Sequence, residues 1–206
     1  MNIVIVGAGN VGRALAGGWL KAGHKVTLAL REPAGSKASD LKAKGFAVVA
    51  PKDAAAGADV IVLAVPWPAL AATVKSLGSL DGKIVVDATN PLAPDMSLAT
   101  GHSDSAGETV ARLAPGARVV KAFNTTGANN MADSGYGGGK LMMLAAGDDA
   151  QAKAAVMSLA KDLGFEPVDA GPLAMSRHLE PMAMVWIKLA YAQQMGREFG
   201  FALLRR

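Results

Sequence analysis

The fold is decided by one stretch near the start of the chain, Asn2-Ile3-Val4-Ile5-Val6-Gly7-Ala8-Gly9-Asn10-Val11-Gly12. Its first half is a run of β-branched apolar residues, which is typical of a strand buried on both faces of a parallel sheet. Its second half reads G-x-G-x-x-G, and residues 13–20 favour a helix. A strand, a glycine turn and a helix in this order form the fingerprint of a dinucleotide-binding unit.

Each glycine of the fingerprint has its own physical role. Gly7 permits the tight turn, Gly9 lets a pyrophosphate approach the backbone, and Gly12 lets the helix pack closely against the strand. The free N–H groups at the start of the helix then face the phosphates, and the helix dipole favours their negative charge. An ordinary glycine turn is the alternative interpretation, and the strand and helix on either side argue against it.

Length and composition exclude several classes of protein. The chain has 206 residues, of which 51% are apolar and 18% charged, so it is globular, with room for one nucleotide-binding domain and a modest addition. It has no cysteine, which excludes disulfides and thiolate chemistry, and its three histidines are widely spaced, so we expect no metal site. Lys and Arg total 21 against 17 acidic residues, and this small, dispersed excess does not favour nucleic-acid binding.

The sequence also gives an expectation about location. No apolar run reaches the length of a membrane span, and no basic segment with a cleavage signal precedes the first strand. We therefore expect a cytoplasmic protein that does not bind membranes.

The end of the second predicted strand, residues 26–30, bears on cofactor choice. Folds that bind NAD usually place an acid there to hold the ribose 2′-hydroxyl, whereas this chain has Leu30 followed by Arg31. A guanidinium can make a two-pronged contact with a 2′-phosphate, so the sequence favours NADP over NAD, unless Arg31 is simply a solvated surface residue. Glu32 is expected to point away from the phosphate. The loop beyond can add phosphate contacts through Ser36 and Lys37.

Strands and helices alternate through most of the remaining chain. The pattern predicts an α/β fold of Rossmann type, with a doubly wound, mostly parallel sheet and a small C-terminal helical extension. Ligands of such sheets lie at the carboxyl ends of the strands, where Trp67 is either a wall of the site or a core residue. Further strands are predicted over residues 47–50, 59–65, 83–89, 118–123, 141–147 and 165–171.

Three other segments carry specific expectations. Residues 92–102 have no clear period and are predicted to form a surface loop at the functional edge. Residues 137–140, Gly-Gly-Gly-Lys, lack the spacing of a phosphate-binding P-loop and are interpreted as a flexible approach to the next strand. From Met175 the pattern predicts a helix to about Met195 and another to Arg206, with Pro181 in the first turn. The Met and Trp stripe of these helices is interpreted as core packing or a dimer seam.

The chain offers no nucleophile with an adjacent base and no pair of carboxylates in a plausible cleft. Hydride transfer needs neither, because the nicotinamide carries the reactive hydrogen and the protein aligns it with an acceptor. A hydride acceptor that is itself a redox ring, such as a flavin, suits a chain without these acid–base residues. A carbonyl or imine acceptor would more often need a proton donor, which Lys121 or His178 could supply, although each is also explained by a structural or phosphate-binding role.

Several segments together resemble the NADP oxidoreductases that use the deazaflavin coenzyme F-420. The resemblance covers essentially the whole chain, and its most specific parts are Lys-Ala-Phe-Asn-Thr at residues 121–125 and Asp-Ala-Gly-Pro-Leu at residues 169–173. The other segments that carry it are residues 3–12, Arg31, and residues 64–67, 90–91, 162–165 and 179–181.

The resemblance implies an NADP(H)-binding Rossmann domain, residues 1–147, and a C-terminal part, residues 148–206, that completes the site of a deazaflavin or flavin acceptor. It also implies, for many members, a homodimer. The acceptor would lie near Asn124 and Thr125. The family often has a small hydroxyl residue where this chain has Leu30. The cofactor-binding roles carry over to Gly7, Gly9, Asn10, Val11, Gly12, Arg31, Ala64, Val65, Pro66 and Asn90.

Two other functions stay open from the residues alone. One is an NADPH-dependent reductase of a small carbonyl or imine, with Lys121 as proton donor. The other is a non-enzymatic sensor of NADP(H), in which the cofactor shifts an interaction surface. In none of the three hypotheses do we assign a catalytic side chain to the hydride transfer itself.

Overall fold

A computed structural model describes residues 1–206, and an eight-stranded sheet lies at its centre. Two further short strands, β7 and β8, pair with each other as a hairpin. The strands are β1 (Asn2–Val6), β2 (Lys25–Ala29), β3 (Ala47–Val49), β4 (Val60–Leu63), β5 (Ile84–Asp87), β6 (Arg118–Lys121), β7 (Gly135–Tyr136), β8 (Gly139–Lys140), β9 (Met142–Gly147) and β10 (Glu166–Gly171).

Seven α-helices connect and cover these strands. Short 3-10 turns at Pro51–Asp53 and Leu173–Met175 and a π-helical turn at Lys188–Ala192 complete the regular structure. The helices are α1 (Asn10–Lys21), α2 (Ser36–Ala43), α3 (Trp67–Ser76), α4 (Ala106–Leu113), α5 (Ala128–Ala132), α6 (Ala150–Asp162) and α7 (Ser176–Ile187).

The strand order β10-β9-β6-β5-β4-β1-β2-β3 is that of a doubly wound sheet. Strand β1 pairs in parallel with β2 on one side and with β4 on the other, which makes it the point where the direction of winding reverses. The parallel block continues to β3 and β6, whereas β9 pairs antiparallel with β6 and carries β10 parallel to itself. The Rossmann-type fold predicted from the sequence is confirmed.

The first strand explains why both faces of the sheet are covered. Ile3 and Ile5 pack into the core beneath α1 and α6, and Val4 and Val6 pack into the core beneath α3 and α4. Trp19 of α1 is completely buried and donates its indole N–H to Leu159 O at 2.9 Å. The apolar run at the start of the chain therefore packs against a layer of helices on each face of the sheet, as expected for a strand buried on both faces.

The prediction of a final helix reaching Arg206 was wrong. After the π-helical turn, Gln194 and Gly196 have positive φ values of 55° and 75°, which end the helix, and the following residues are not helical. The backbone there is held by partners that are distant in sequence. Asn130 donates to Phe199 O at 2.7 Å, and Met142 N–H donates to Phe201 O at 2.8 Å.

Three smaller predictions also need correction. Pro181 lies inside α7 rather than in its first turn, because the helix already begins at Ser176. Residues 36 and 37 lie in the first turn of α2 rather than in a loop. The Gly-Gly-Gly-Lys segment forms the turn and second strand of the β7–β8 hairpin instead of a flexible approach.

The expected division at residue 147 stays a prediction, and β9 and β10 on either side of it share the one sheet. None of the helices combines the length and the apolarity that a membrane span requires.

Candidate functional site

The turn between β1 and α1 needs glycine at its first position. Gly7 has a φ of +105°, and a β-carbon there would lie 2.4 Å from the carbonyl oxygen of Ala64 at the end of β4. Gly7 N–H donates to Ala29 O at 3.1 Å, which connects the turn to the end of β2. The strand ends of β1, β2 and β4 therefore meet at this glycine.

The other two glycines of the fingerprint have opposite surroundings. A β-carbon on Gly12 would lie 2.1 Å from Gly7 O, so the helix could not pack so closely with any other residue. Around Gly9, by contrast, no atom of the protein other than Gly9 and its two chain neighbours lies within 4 Å of the position of a β-carbon. Gly9 is also the N-cap of α1 and has no side-chain cap, so the first amides of the helix remain free for an anion.

A cavity of about 870 Å³ opens beside this turn, at the carboxyl ends of β1, β2 and β4. Its volume lies within the range of small-molecule and cofactor sites. Six of the predicted cofactor-binding residues line it: Gly7, Gly9, Arg31, Ala64, Val65 and Pro66. Trp67 does not line it and is half-buried, packing against the core beneath α3 and α4, and a role as a wall of the nicotinamide-ribose site stays a prediction.

Three cations stand around one end of the cavity: Arg31, Lys37 and Lys52, called here the basic rim. All three are exposed, and none forms an ion pair with a carboxylate of the chain. Ser36 also lines this end. Glu32 lines it too, contrary to the expectation that this residue points away from the site.

Lys52 was missed by the sequence analysis. It follows β3, and Leu30 N–H donates to Val49 O at 3.0 Å, so the ends of β2 and β3 lie side by side. Parallel pairing thus brings Lys52 to the same edge of the sheet as Arg31. Knowledge of the strand order would have indicated Lys52, because a residue that follows β3 lies at the same edge of the sheet as a residue that follows β2.

The ends of β5 and β6 form a second part of the candidate site, built on two asparagines. Asn124 donates to Asn90 Oδ1 at 3.0 Å, and Asn90 donates in return to Asn124 O at 3.0 Å. Asn124 also donates to Leu179 O of α7 at 3.0 Å. Asn90 is half-buried, whereas Asn124 and Thr125 are almost completely buried. None of the three lines the large cavity, whose lining comes from the ends of β1 to β4 and from the neighbouring helices.

The chain bends sharply just before Asn124. Phe123 has a φ of +60°, which is unusual for a residue with a side chain and costs free energy. Its ring is completely buried and packs edge-on against Trp19, with 5.4 Å between the ring centroids. Tight packing therefore holds the strained backbone that places Asn124 beside Asn90.

Lys121 occupies a buried ion cluster behind these asparagines. Its side chain is completely buried, and its ammonium lies 2.9 Å from Asp87 Oδ2, 2.9 Å from Glu180 Oε1 and 2.6 Å from Thr89 O. The ammonium thus donates hydrogen bonds to Asp87 and Thr89, and its charge is paired with Glu180 as well as with Asp87. This arrangement argues against Lys121 as a proton donor to a substrate. His178, the other candidate, is exposed on α7 and does not line the cavity.

Helix α7 is fixed to the start of α4 by two carboxylates. Glu180 accepts hydrogen bonds from the amides of Ala106 and Gly107 at 3.0 and 3.1 Å. Arg177 forms a two-pronged pair with Glu108, which lowers the pKa of the Glu108 carboxyl, with Ser105 adding a further hydrogen bond. The structure contains no group of three or more His, Cys, Asp or Glu residues that could hold a metal ion.

Residues 92–102 form a surface loop between β5 and α4, as predicted. A bridge between Leu92 and Leu98 closes it, and hydrogen bonds from Ser97 keep the pKa of Asp95 below its ordinary value. Met96, between the two, has a φ of 64° and an exposed side chain. The loop follows directly from Asn90 and Pro91, so it begins at the asparagine pair.

Comparison with known proteins places this geometry in a family. The sequence pattern of the family described as NADP oxidoreductase coenzyme F420-dependent matches residues 2–91. The crystal structure of a candidate F420-dependent NADP-reductase from Arthrobacter sp. FB24 is 35% identical, covers 100% of both chains and superposes with a TM-score of 0.90. The chain belongs to the coenzyme F420-dependent NADP oxidoreductase family. The resemblance stated from the sequence is thereby confirmed.

Two curated relatives extend the comparison. The F420-dependent NADP reductase of Methanocaldococcus jannaschii is 31% identical over 151 residues, which are 67% of this chain and 65% of that protein. The metalloreductase STEAP3 of Rattus norvegicus is 31% identical over 180 residues, or 87% of this chain. The chain spans 36% of the length of that metalloreductase. Both of these relatives are named as reductases.

Proposed function

We propose that this protein transfers a hydride between NADP(H) and a deazaflavin, such as coenzyme F-420, or a flavin-type ring. The observation that carries the proposal is the combination of an open glycine turn with a basic rim on one cavity. No protein atom fills the space beside Gly9, and the free cations Arg31 and Lys52 stand at the next strand ends. A dinucleotide with an additional phosphate has the matching shape and charge.

In this proposal the chain binds the dinucleotide along the carboxyl edge of the sheet. The amides that follow Gly9, those of Asn10 and Val11, bind the pyrophosphate, and Gly7 and Gly12 hold the turn in place. The basic rim binds the 2′-phosphate. Ala64, Val65 and Pro66 form the wall beside the second ribose, because they follow β4 on the far side of the switch point.

The nicotinamide half then extends towards the ends of β5 and β6, where Asn90 is half-buried. Bound NADPH supplies the hydride. Asn124 and Thr125 support the acceptor side from behind, and α7 closes it through the hydrogen bond between Asn124 and Leu179. Residues 148–206 complete the acceptor site in this sense.

A ring acceptor is favoured over a carbonyl or imine by the state of Lys121. Its ammonium is completely buried, donates to Asp87 and Thr89 and is ion-paired with Glu180, so it is not exposed to a substrate. A flavin or deazaflavin ring accepts a hydride without a proton from a protein side chain in the same step. The name of the Methanocaldococcus jannaschii relative, an F420-dependent NADP reductase, also supports a deazaflavin acceptor.

The test is a steady-state assay of NADPH oxidation with coenzyme F-420, FMN, FAD and riboflavin as separate acceptors. We expect turnover with at least one of them, and a higher kcat/KM for NADPH than for NADH. A small panel of cyclic imines and ketones tests the alternative in the same assay. If the protein binds NADPH but reduces no ring acceptor, the proposal is wrong.

A further inference from the structure

The buried ion cluster behind the candidate site consists of Lys121, Asp87, Glu180 and Thr89, and we call it the Lys121 cluster. The side chains of its three ionic members are completely inaccessible to solvent. Asp87 accepts from the amide and hydroxyl of Thr89 at 2.9 and 2.7 Å and from Lys121 at 2.9 Å. Both Asp87 oxygens are therefore used within the cluster, and Lys121 donates to Asp87 and Thr89 while its ammonium lies 2.9 Å from Glu180 Oε1.

The cluster joins four elements of the fold. Asp87 ends β5, Lys121 ends β6, and Glu180 lies in α7. Glu180 also accepts from two amides at the start of α4, at 3.0 and 3.1 Å. Contacts of this kind fix the position of each element relative to the others, because buried charges that lose their partners are costly.

Two short covalent links connect the cluster to the asparagine pair. Thr89, whose carbonyl accepts from Lys121 at 2.6 Å, is the residue directly before Asn90. On the other strand Lys121 stands three residues before Asn124, across the strained backbone of Phe123. Lys121 thus contacts the chain immediately before Asn90 and belongs to the strand that carries Asn124.

Stability alone is a weak reason for such a cluster. Replacing a buried ion pair by well-packed apolar residues is often neutral or stabilising, since desolvation offsets the attraction between the charges. An apolar cluster, however, would not hold the Thr89 carbonyl at one defined place. The ions therefore contribute something that apolar residues could not, namely a fixed geometry of the strand ends.

We propose that Lys121 is a positioning residue for the nicotinamide half of the dinucleotide site. By holding the Thr89 carbonyl, Asp87 and Glu180 together, it sets the position of Asn90 relative to Asn124, and so the place where the nicotinamide end is bound. The proposal rests on the proposed function, because it assumes that NADP(H) lies along this edge. The adenosine half, at the basic rim, is bound by other strand ends and does not depend on Lys121.

The experiment compares two ligands in binding titrations of the full chain. NADPH reaches both halves of the site, and 2′,5′-ADP occupies only the adenosine half. The first variant is Lys121→Met with Asp87→Asn, which removes one positive and one negative charge together. Glu180 loses its cation in this variant but keeps the hydrogen bonds from the amides of Ala106 and Gly107. The second is Lys121→Arg, which keeps the charge in a different geometry. The matched control is Lys153→Met, which removes an ammonium bound to Asp169 at 2.7 Å and Gly171 O at 3.0 Å, far from Asn90 in the strand order.

We expect 2′,5′-ADP to bind both Lys121 variants as it binds the wild type, while NADPH affinity falls about tenfold, the loss of one well-formed hydrogen bond. The control should leave the ratio of the two affinities unchanged. At saturating NADPH, hydride transfer in the variants should be slower by about 10²-fold if the ring is misplaced by an ångström. Because Lys121→Arg retains the charge, it tests the proposal even where the double variant does not fold.

If a folded Lys121 variant loses affinity equally for both ligands, or keeps the wild-type ratio of the two affinities, the positioning role is overturned and Lys121 is a structural residue. Wild-type protein that binds neither NADPH nor 2′,5′-ADP overturns the proposed function instead. The two failures are therefore distinguishable in the same set of titrations.

Discussion

The α-carbon of Gly12 packs so closely against the backbone of Gly7 that a β-carbon at position 12 would lie 2.1 Å from the Gly7 carbonyl oxygen. This contact fixes the distance between α1 and β1. Its free first amides are directed by this packing to the edge of the sheet where the cavity opens. The closeness of two backbone segments, rather than any side chain, defines the candidate phosphate site.

Gly12→Ala should destabilise the fold. The carbonyl of Gly7 is backbone and cannot move aside, so the added methyl group must displace α1, at a cost of about 1–3 kcal/mol or more. Chemical denaturation measures this loss. Gly17→Ala in the same helix is the control, because no atom lies within 4 Å of its β-carbon position, and it should cost nothing. Equal stability of the two variants would contradict the close packing.

Gly9→Ala should behave in the opposite way. Its backbone angles, φ −76° and ψ −165°, suit any residue, and the space beside it is free of protein atoms, so stability should change by less than about 0.5 kcal/mol. A methyl group there would keep a pyrophosphate from the helix amides, and NADPH affinity should fall by about 10- to 100-fold. Calorimetric titration measures the affinity, and unchanged binding would place the phosphates elsewhere.

The basic rim should decide between NADP and NAD. Removing a charge-assisted contact with phosphate costs about 1.5–3 kcal/mol, so Arg31→Ala should weaken NADPH binding about 10- to 100-fold. NADH binding should hardly change. Lys52→Ala should shift the same preference in the same direction, and Lys44→Ala, an exposed lysine outside the cavity, serves as the control. Equal losses for NADPH and NADH would refute the phosphate role of Arg31 and Lys52.

The pair between Arg177 and Glu108 should make stability depend on pH in acid. The pKa of Glu108 is lowered in the folded protein by the Arg177 hydrogen bonds, so the pair stabilises fully above the ordinary carboxyl pKa of 4.5. This contribution is lost as the pH falls through the lowered pKa. Since the pair is partly exposed, it should contribute no more than about 1 kcal/mol.

Comparison of the wild type with Glu108→Gln checks this dependence. The difference in unfolding free energy should be constant from neutral pH down to the ordinary carboxyl pKa and should shrink below it. A difference that grows in acid would contradict the assigned direction of the pKa shift.

The sequence predicted the parts of the fold that depend on local residue patterns. The apolar strands and the glycine turn follow from period and residue type. The cap of α6, where Asp149 accepts from Ala152 N–H, is likewise a local feature. The loop of residues 92–102 could be predicted for the same reason, because it lacks any period. The family resemblance agrees with the family pattern over residues 2–91 and with the Arthrobacter structure over the whole chain.

The features that were missed depend on residues far apart in the chain. Lys52 joins Arg31 only because β2 and β3 pair in parallel, and Glu180 meets Lys121 only after α7 docks on α4. The final segment reads as helical by composition, yet Asn130 and Trp186 bind its carbonyl at Phe199 and hold it in a different conformation. Local pattern carries none of this information, which resides in the strand order and in side-chain hydrogen bonds.

The central claim is direct hydride transfer from NADPH to a neighbouring ring at the carboxyl edge of the sheet. The most direct test is a single turnover with NADPH deuterated at the transferable position of the nicotinamide and a 5-deazaflavin as acceptor. The carbon that accepts the hydride in a deazaflavin does not exchange it with water, so mass spectrometry can follow the label. The account predicts deuterium on that carbon, from only one face of the nicotinamide. Reduced deazaflavin without the label, or no reduction of the ring by bound NADPH, would contradict it.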